Sequence, residues 1–195
     1  MNLVRFFTQS LYDTALLTTG VLCLVNFTSV YLPNKSLAQI NIHDVSSWLQ
    51  TNIFDFETET LFALANDPVV RIAIADIKYA CIELDLTALF SFRSIEGIMN
   101  SFSENPEDDR KNNWTLLREQ LNISRDFFKP VEEFSKLNRH AKPFGQLFSN
   151  RQICISSAMI VLQRYLHYLK NGKAKLDSNK FPEINTVEEF GMKSF

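Results

Sequence analysis

The chain has 195 residues, 46% of them hydrophobic and 22% charged, with a formal net charge of −2. That length fits one domain, or one domain with a small appendage. Seventeen Phe against only five Gly and six Pro leave few residues for tight turns, which disfavours a many-stranded sandwich or barrel and favours long helices. Cys23, Cys81 and Cys154 form no close-spaced pair and each sits in an apolar run, the pattern of reduced, buried thiols rather than of a disulfide framework or a zinc site.

In chain order, residues 3–19 can form a helix with Leu3, Phe6, Phe7, Leu11 and Leu16 inward. Arg5 ahead of the run Ala15 to Val25 imitates a signal peptide, but Asp13 interrupts it and no small-residue cleavage site follows. Thr18, Thr19, Gly20 and Asn26 break the roughly 20 apolar residues that a membrane span requires. The expectation is therefore no targeting segment, no membrane partner and a cytoplasmic protein. The four matches to the glycosylation pattern, at Asn26, Asn34, Asn113 and Asn122, are read as chance in an Asn-rich chain.

Val21 to Val30 is rich in Val, Leu, Phe and Thr and predicts a short extended segment, with no evident second strand to pair with it. Thr51 to Ala65 predicts a helix that starts after the capping candidates Asp44, Ser46 and Ser47. At Asp67-Pro68 a capping residue precedes proline, a strong start signal. From there apolar residues recur at three- and four-residue spacing as far as Phe102, predicting one central helix of 35 residues, about 52 Å long. Ser101 to Asp109 is a polar loop, and Arg110 to Leu121 the next helix, with Trp114, Leu117 and Leu121 on one face.

Ser124 can cap a further helix running to about Leu137, bent or split by Pro130. After a loop from Asn138 to Phe148, Arg151 to Asn171 predicts a second strongly apolar helix closed by Gly172. The polar remainder predicts a loosely docked or disordered tail. The expected organisation is thus residues 1–60 packed on the body, a bundle over 61–172 and a flexible tail over 173–195. The fold class is mostly α, a bundle of four to six helices with one long central member.

Charge is unevenly divided. Residues 1–100 carry five Lys/Arg against ten Asp/Glu, whereas residues 110–175 carry thirteen against four, a local excess of nine positive charges. Such an excess can attract phosphate backbones, and it can equally be the solvated face of a helix. Arg118, Lys142 and Arg151 are the candidate nucleic-acid contacts within it. Phe127-Phe128 and Phe144 to Phe148 flank basic residues and can either stack on bases or fill the core.

No Gly-rich loop, no Gly-x-Ser-x-Gly elbow and no metal-ligand spacing among His43, His140 and His167 is present, so neither cofactor nor metal is expected. Asp55, Glu57 and Glu59 alternate with Phe54, Phe56 and Thr58 as a solvated edge does. The constellation that can carry chemistry is Arg93, Glu96, Arg139 and His140. Metal-free RNA cleavage needs a base near the 2′-hydroxyl and a cation for the phosphorane charge; His140 can be the base, Arg139 or Arg93 the cation, and Glu96 the orienting group. The competing reading makes Arg93 and Glu96, three residues apart on one helical face, a tether for the Arg139-His140 loop.

The run Ala88 to Ile98 with Arg93 and Glu96, then Trp114-Thr-Leu-Leu-Arg118, then Asn138-Arg139-His140 and a closing helix with Arg164-Tyr-Leu-His167, resembles the HEPN-like helical proteins of prokaryotes over roughly residues 60–170. The resemblance implies a bundle of four or five helices, often dimeric, and a link to RNA in toxin–antitoxin or anti-phage systems. Catalytic members are metal-independent ribonucleases in which a short spacer separates an Arg from a His. Here Arg139 and His140 are adjacent, Ala141 replaces a common Gly, and only Tyr165 and Leu166 separate Arg164 from His167. The expectation is a non-catalytic module for RNA binding or protein interaction, as a homodimer or with a partner protein. The alternative is a divergent endoribonuclease using Arg139 and His140.

Overall fold

The computed structural model describes residues 23–27, 40–44, 64, 66–103, 110–139 and 148–187. The two N-terminal stretches are strands, β1 (Cys23–Phe27) and β2 (Ile40–Asp44), paired antiparallel with Cys23 opposite Asp44 and Phe27 opposite Ile40. The expected extended segment is therefore present, and its partner is a strand that the sequence hid. Ile40-Asn-Ile-His-Asp alternates apolar with polar residues, but at five residues the alternation is too short to stand out. The expected helix at 3–19, the expected helix at 51–65 apart from the helical Leu64, and the placement of the segment 1–60 lie outside the described residues.

The body is a helical bundle: α1 (Pro68–Ile82), α2 (Thr87–Asn100), α3 (Arg110–Leu121), α4 (Lys129–Arg139) and α5 (Phe148–Lys170). α2 is the central member and touches each of the other four. Around it lies one continuous apolar core in which Ile74, Ile77, Ile95, Ile98, Met99, Leu117 and Phe127 are fully buried.

The start of α1 follows its sequence signal. The Asp67 carboxylate accepts hydrogen bonds from the backbone N–H groups of Val69 at 2.8 Å and Val70 at 3.2 Å, and Pro68 occupies the first turn, where its missing N–H costs nothing. Asp67→Ala is expected to cost about 1 kcal/mol, lowering the thermal midpoint by about 2–4 °C in a melt followed by circular dichroism.

The single 35-residue helix is a correction: the stretch is two helices folded against each other, α1 and α2, joined by a 3-10 turn at Leu84–Leu86. Apolar periodicity continues through the break, so the spacing pattern does not reveal it. The break is held by Thr87, whose buried hydroxyl donates to the Ala80 carbonyl at 2.8 Å, with Leu84 a second acceptor at 3.1 Å. The same oxygen accepts from Nε of Arg151 at 3.1 Å, which ties the corner to α5. A Thr that returns to a carbonyl seven residues back competes with helix continuation.

Two further corrections concern caps and the tail. Ser124 does not cap: a 3-10 turn at Asp126–Phe128 leads into α4, and the Ser124 backbone N–H instead donates to the Ile184 carbonyl at 2.9 Å. Pro130 neither bends nor splits α4, because it falls in the first turn. α5 ends as expected at Gly172 (φ 67°), with Gly172 N–H donating to Leu169 and Lys173 N–H to Tyr168.

Beyond it, residues 173–187 are not a loose tail. Leu176, Ile184 and Val187 are buried, Ile184 bridges Ile123 in parallel, and the Asn122 amide donates to the carbonyls of Leu176 and Phe181 at 2.9 Å each. Residues 188–195 lie outside the described residues.

Candidate nucleic-acid interface

α2, α3 and α4 enclose an open groove of about 660 Å³. α3 offers Arg110, Trp114 and Arg118 at four-residue spacing, with Lys111 and Thr115 alongside. α4 contributes Lys129, Glu132, Lys136 and Arg139, and Arg125 stands at the turn between the two. Among the described residues, seven cationic side chains thus line the groove against a single carboxylate, Glu132.

Three of those cations are neutralised nearby: Arg110 by Glu96, Lys129 by Asp126 at 2.6 Å and Lys136 by Glu132 at 2.8 Å. Among the described residues no carboxylate forms an ion pair with Lys111, Arg118 or Arg139, whereas Arg125 joins Lys129 in holding the Asp126 carboxyl below its ordinary pKa.

The floor of the groove is aromatic. Trp114 stacks on Phe92 with ring centres 6.0 Å apart and meets Phe128 edge-on at 5.3 Å, and these contacts hold the half-buried indole against the core. The Arg139 guanidinium lies over the opposing Phe92 ring at 5.1 Å and donates to the Ser135 hydroxyl at 3.2 Å. A smaller cavity of about 390 Å³ shares Arg118 and Arg125 with the groove and adds Lys175, but Glu119 and Glu183 offset two of these three cations, so the larger positive excess lies in the groove.

Of the four residues expected to form one catalytic set, the three that are described divide between two places. Glu96 and Arg139 are on the groove side of α2, the first bound to Arg110 and the second over Phe92. Arg93 turns to α1, where it pairs with Asp76 at 3.3 Å and lies over Phe90 at 5.3 Å. Burial raises the Asp76 carboxyl above its ordinary pKa, and Arg93 opposes that rise. Arg93 and Glu96 therefore do not pair with each other, and the tether expected of them is two separate ties, to α1 and to α3. His140 lies outside the described residues.

Of the expected nucleic-acid contacts, Arg118 lines the groove and donates to the Thr115 hydroxyl at 3.1 Å. Arg151 is a correction: it is buried on α5 and serves the Thr87 corner. Lys142 lies outside the described residues. Arg164 and His167 are structural, Arg164 bound to backbone carbonyls and His167 against the Phe181 ring at 4.7 Å.

Sequence reasoning missed Arg110, Lys111, Arg125, Lys129 and Lys136 as one surface. The signal was present in the four-residue spacing of Arg110, Trp114 and Arg118 and in the three- and four-residue spacing of Lys129, Glu132, Lys136 and Arg139. Cys81 and Cys154 are free and buried, and burial pushes each thiol up to about 12, so neither is poised as a nucleophile.

Fold and groove together define a helical bundle with a basic, aromatic-floored cleft. Among the described residues no helix is long and apolar enough to cross a membrane. The C-terminal domain profile of DUF8168, a domain of unknown function, matches residues 58–170, more than half of the chain, and the chain belongs to that family. No curated protein and no solved structure matches it.

Proposed function

We propose that this chain is an HEPN-like, non-catalytic helical module that binds RNA through the groove between α2, α3 and α4, in the cytoplasm and in a bacterial defence or regulatory role, assembled with itself or with a partner protein. One observation carries the reading: among the described residues, three groove cations, Lys111, Arg118 and Arg139, have no carboxylate partner, and they line the groove together with a half-buried tryptophan. Phosphates can take the places that carboxylates do not fill, and each phosphate neutralised releases counterions from the strand. An aromatic ring at the floor suits an unpaired base, since stacking contributes about 1–3 kcal/mol per base regardless of sequence.

The ribonuclease alternative draws on Arg139, which stands on the groove wall next to His140 in the chain. Against it, Arg93 is engaged with Asp76 on α1 and Glu96 with Arg110, so neither is held ready for a base or a phosphorane. The test is incubation of a labelled single-stranded RNA with wild type and His140→Ala in EDTA, reading anisotropy and strand length together. Binding by both proteins with the strand intact is expected. Cleavage that His140→Ala abolishes would replace the proposal with the alternative, and absence of binding at low salt would overturn both.

A further inference from the structure

The smaller cavity beside the groove holds charges of both signs that do not meet. One wall is the end of α3 and the turn after it, with Arg118, Glu119, Ser124 and Arg125; the other is the segment 173–187, with Lys175 and Glu183. Among the described residues neither Glu119 nor Glu183 forms an ion pair, and neither Arg118 nor Lys175 has a carboxylate partner. Opposite charges that line one space without closing on each other leave donors and acceptors of both kinds to a ligand.

The frame is fixed before any ligand arrives. Asn122, at φ 52°, turns the chain out of α3, and its amide donates to the carbonyls of Leu176 and Phe181. The Ile184 N–H donates to Asn122 at 3.1 Å, the Ser124 N–H to Ile184 at 2.9 Å and the Leu176 N–H to Gln120 at 3.0 Å. Two walls tied in this way hold the charged residues on a preformed scaffold, as small-molecule sites require. Ser124 adds a hydroxyl that is screened from solvent and has no hydrogen-bond partner, a group that a ligand oxygen can satisfy.

Charge selects the occupant. A bare phosphate would meet the three cations but also two carboxylates, which repel it. A ribonucleotide carries both kinds of group: phosphate oxygens that accept from an arginine fork, and a 2′,3′-diol whose hydroxyls donate to a carboxylate. A volume of about 390 Å³ suits one such unit. Arg118 and Arg125 also line the groove, which puts the phosphate at the groove side. Among the described residues no aromatic side chain lines the cavity, so the base is not stacked there and is not selected.

We propose that this cavity binds one ribonucleotide unit, with its phosphate on Arg118 and Arg125 beside Lys175 and its free 2′,3′-diol on Glu119 and Glu183. The unit is a free 5′-ribonucleotide or the 3′-terminal residue of an RNA that continues into the groove. The second source rests on the groove reading, and the first does not.

Two measurements on the full chain test it: calorimetric titration with uridine 5′-monophosphate, its 2′-deoxy analogue and inorganic phosphate, and anisotropy of a 5′-labelled single-stranded RNA ending in a 3′-hydroxyl or a 3′-phosphate. The ribonucleotide is expected to bind about ten-fold more tightly than the 2′-deoxy analogue or phosphate. The other three ribonucleoside monophosphates should fall within a few-fold of it. Glu119→Ala combined with Glu183→Ala, at exposed positions, should remove the preference for the diol, and Lys175→Ala should weaken the ribonucleotide several-fold, both with unchanged helical circular dichroism. Ribonucleotide binding with RNA indifferent to its 3′ end assigns the free nucleotide. An RNA with a 3′-hydroxyl preferred about ten-fold over the 3′-phosphate, a preference lost in the double alanine variant, assigns the strand end. Phosphate that binds as tightly as the ribonucleotide would overturn the proposal, as would a diol preference that survives the double variant. So would failure of the ribonucleotide to bind together with RNA that ignores its 3′ end. RNA that does not bind while the ribonucleotide does would overturn the groove reading and leave this one standing.

Discussion

Arg164→Met is expected to lower the thermal midpoint by about 10 °C, although the residue is remote from the groove. Arg164 is 3% exposed, on α5, with no carboxylate partner among the described residues. Nη1 donates to the carbonyls of Leu121 at 2.7 Å and Asn122 at 2.8 Å, and Nη2 donates to Pro182 at 2.7 Å. The first two carbonyls sit at the C-terminus of α3, where aligned peptide dipoles leave partial negative charge, so the helix end stands in for a counterion. The third fastens the segment 173–187 to the bundle.

Two effects oppose each other in the substitution. Met fills much of the volume and removes a cation whose burial is unfavourable, the same burial that lowers its pKa from the ordinary arginine value. Against that, the buried Leu121 carbonyl loses its donor, the Asn122 carbonyl keeps only the Ile184 N–H, and the exposed Pro182 carbonyl loses its tie to α5; the two buried carbonyls cost about 1–3 kcal/mol each. The carbonyls outweigh the relief, leaving a net loss of roughly 3 kcal/mol, and a chain of this size shifts by about 2–4 °C per kcal/mol. Arg164→Lys keeps the charge but cannot fork between α3 and Pro182, so its midpoint should fall between the two. Amide exchange of Leu176, whose N–H donates to Gln120, reports the local part of the loss: it should accelerate in Arg164→Met. An unchanged midpoint would mean that the relief of desolvation cancels the missing hydrogen bonds.

This arginine also shows where the sequence stops being legible. Helical periodicity located α3 to the residue and α5 to within a few, and Asp67-Pro68 located the start of α1, because caps and apolar stripes are local signals. The corner at Thr87 depends on Ala80 and Arg151, and the docking of residues 173–187 on Asn122 and Arg164; neither leaves a mark within a window of a few residues. The polar segment after Gly172 resembled a solvated end because its anchoring is by backbone carbonyls, which every sequence possesses. The same blindness split the proposed site. Arg93 and Glu96 share a helix at a spacing that suggests one face, yet packing sends Arg93 to α1 and Glu96 to α3.

The second large effect concerns the groove. Arg118→Glu combined with Arg139→Glu is expected to weaken binding of single-stranded RNA roughly a hundred-fold at low salt, and the slope of log affinity against log salt should become shallower by about 1.4, near 0.7 for each phosphate no longer neutralised. Trp114→Leu should cost affinity through weaker stacking, about 1–3 kcal/mol, with the slope unchanged. The slope is the better discriminator because it does not depend on the folded fraction, and Trp114 also supports the core through Phe92 and Phe128. Arg93→Gln, on the α1 side, should leave the slope where wild type has it. If the double reversal reduces affinity without changing the slope, the groove cations do not meet phosphates, and the carboxylate-free positions at Arg118 and Arg139 would point instead to an acidic protein surface that displaces few counterions.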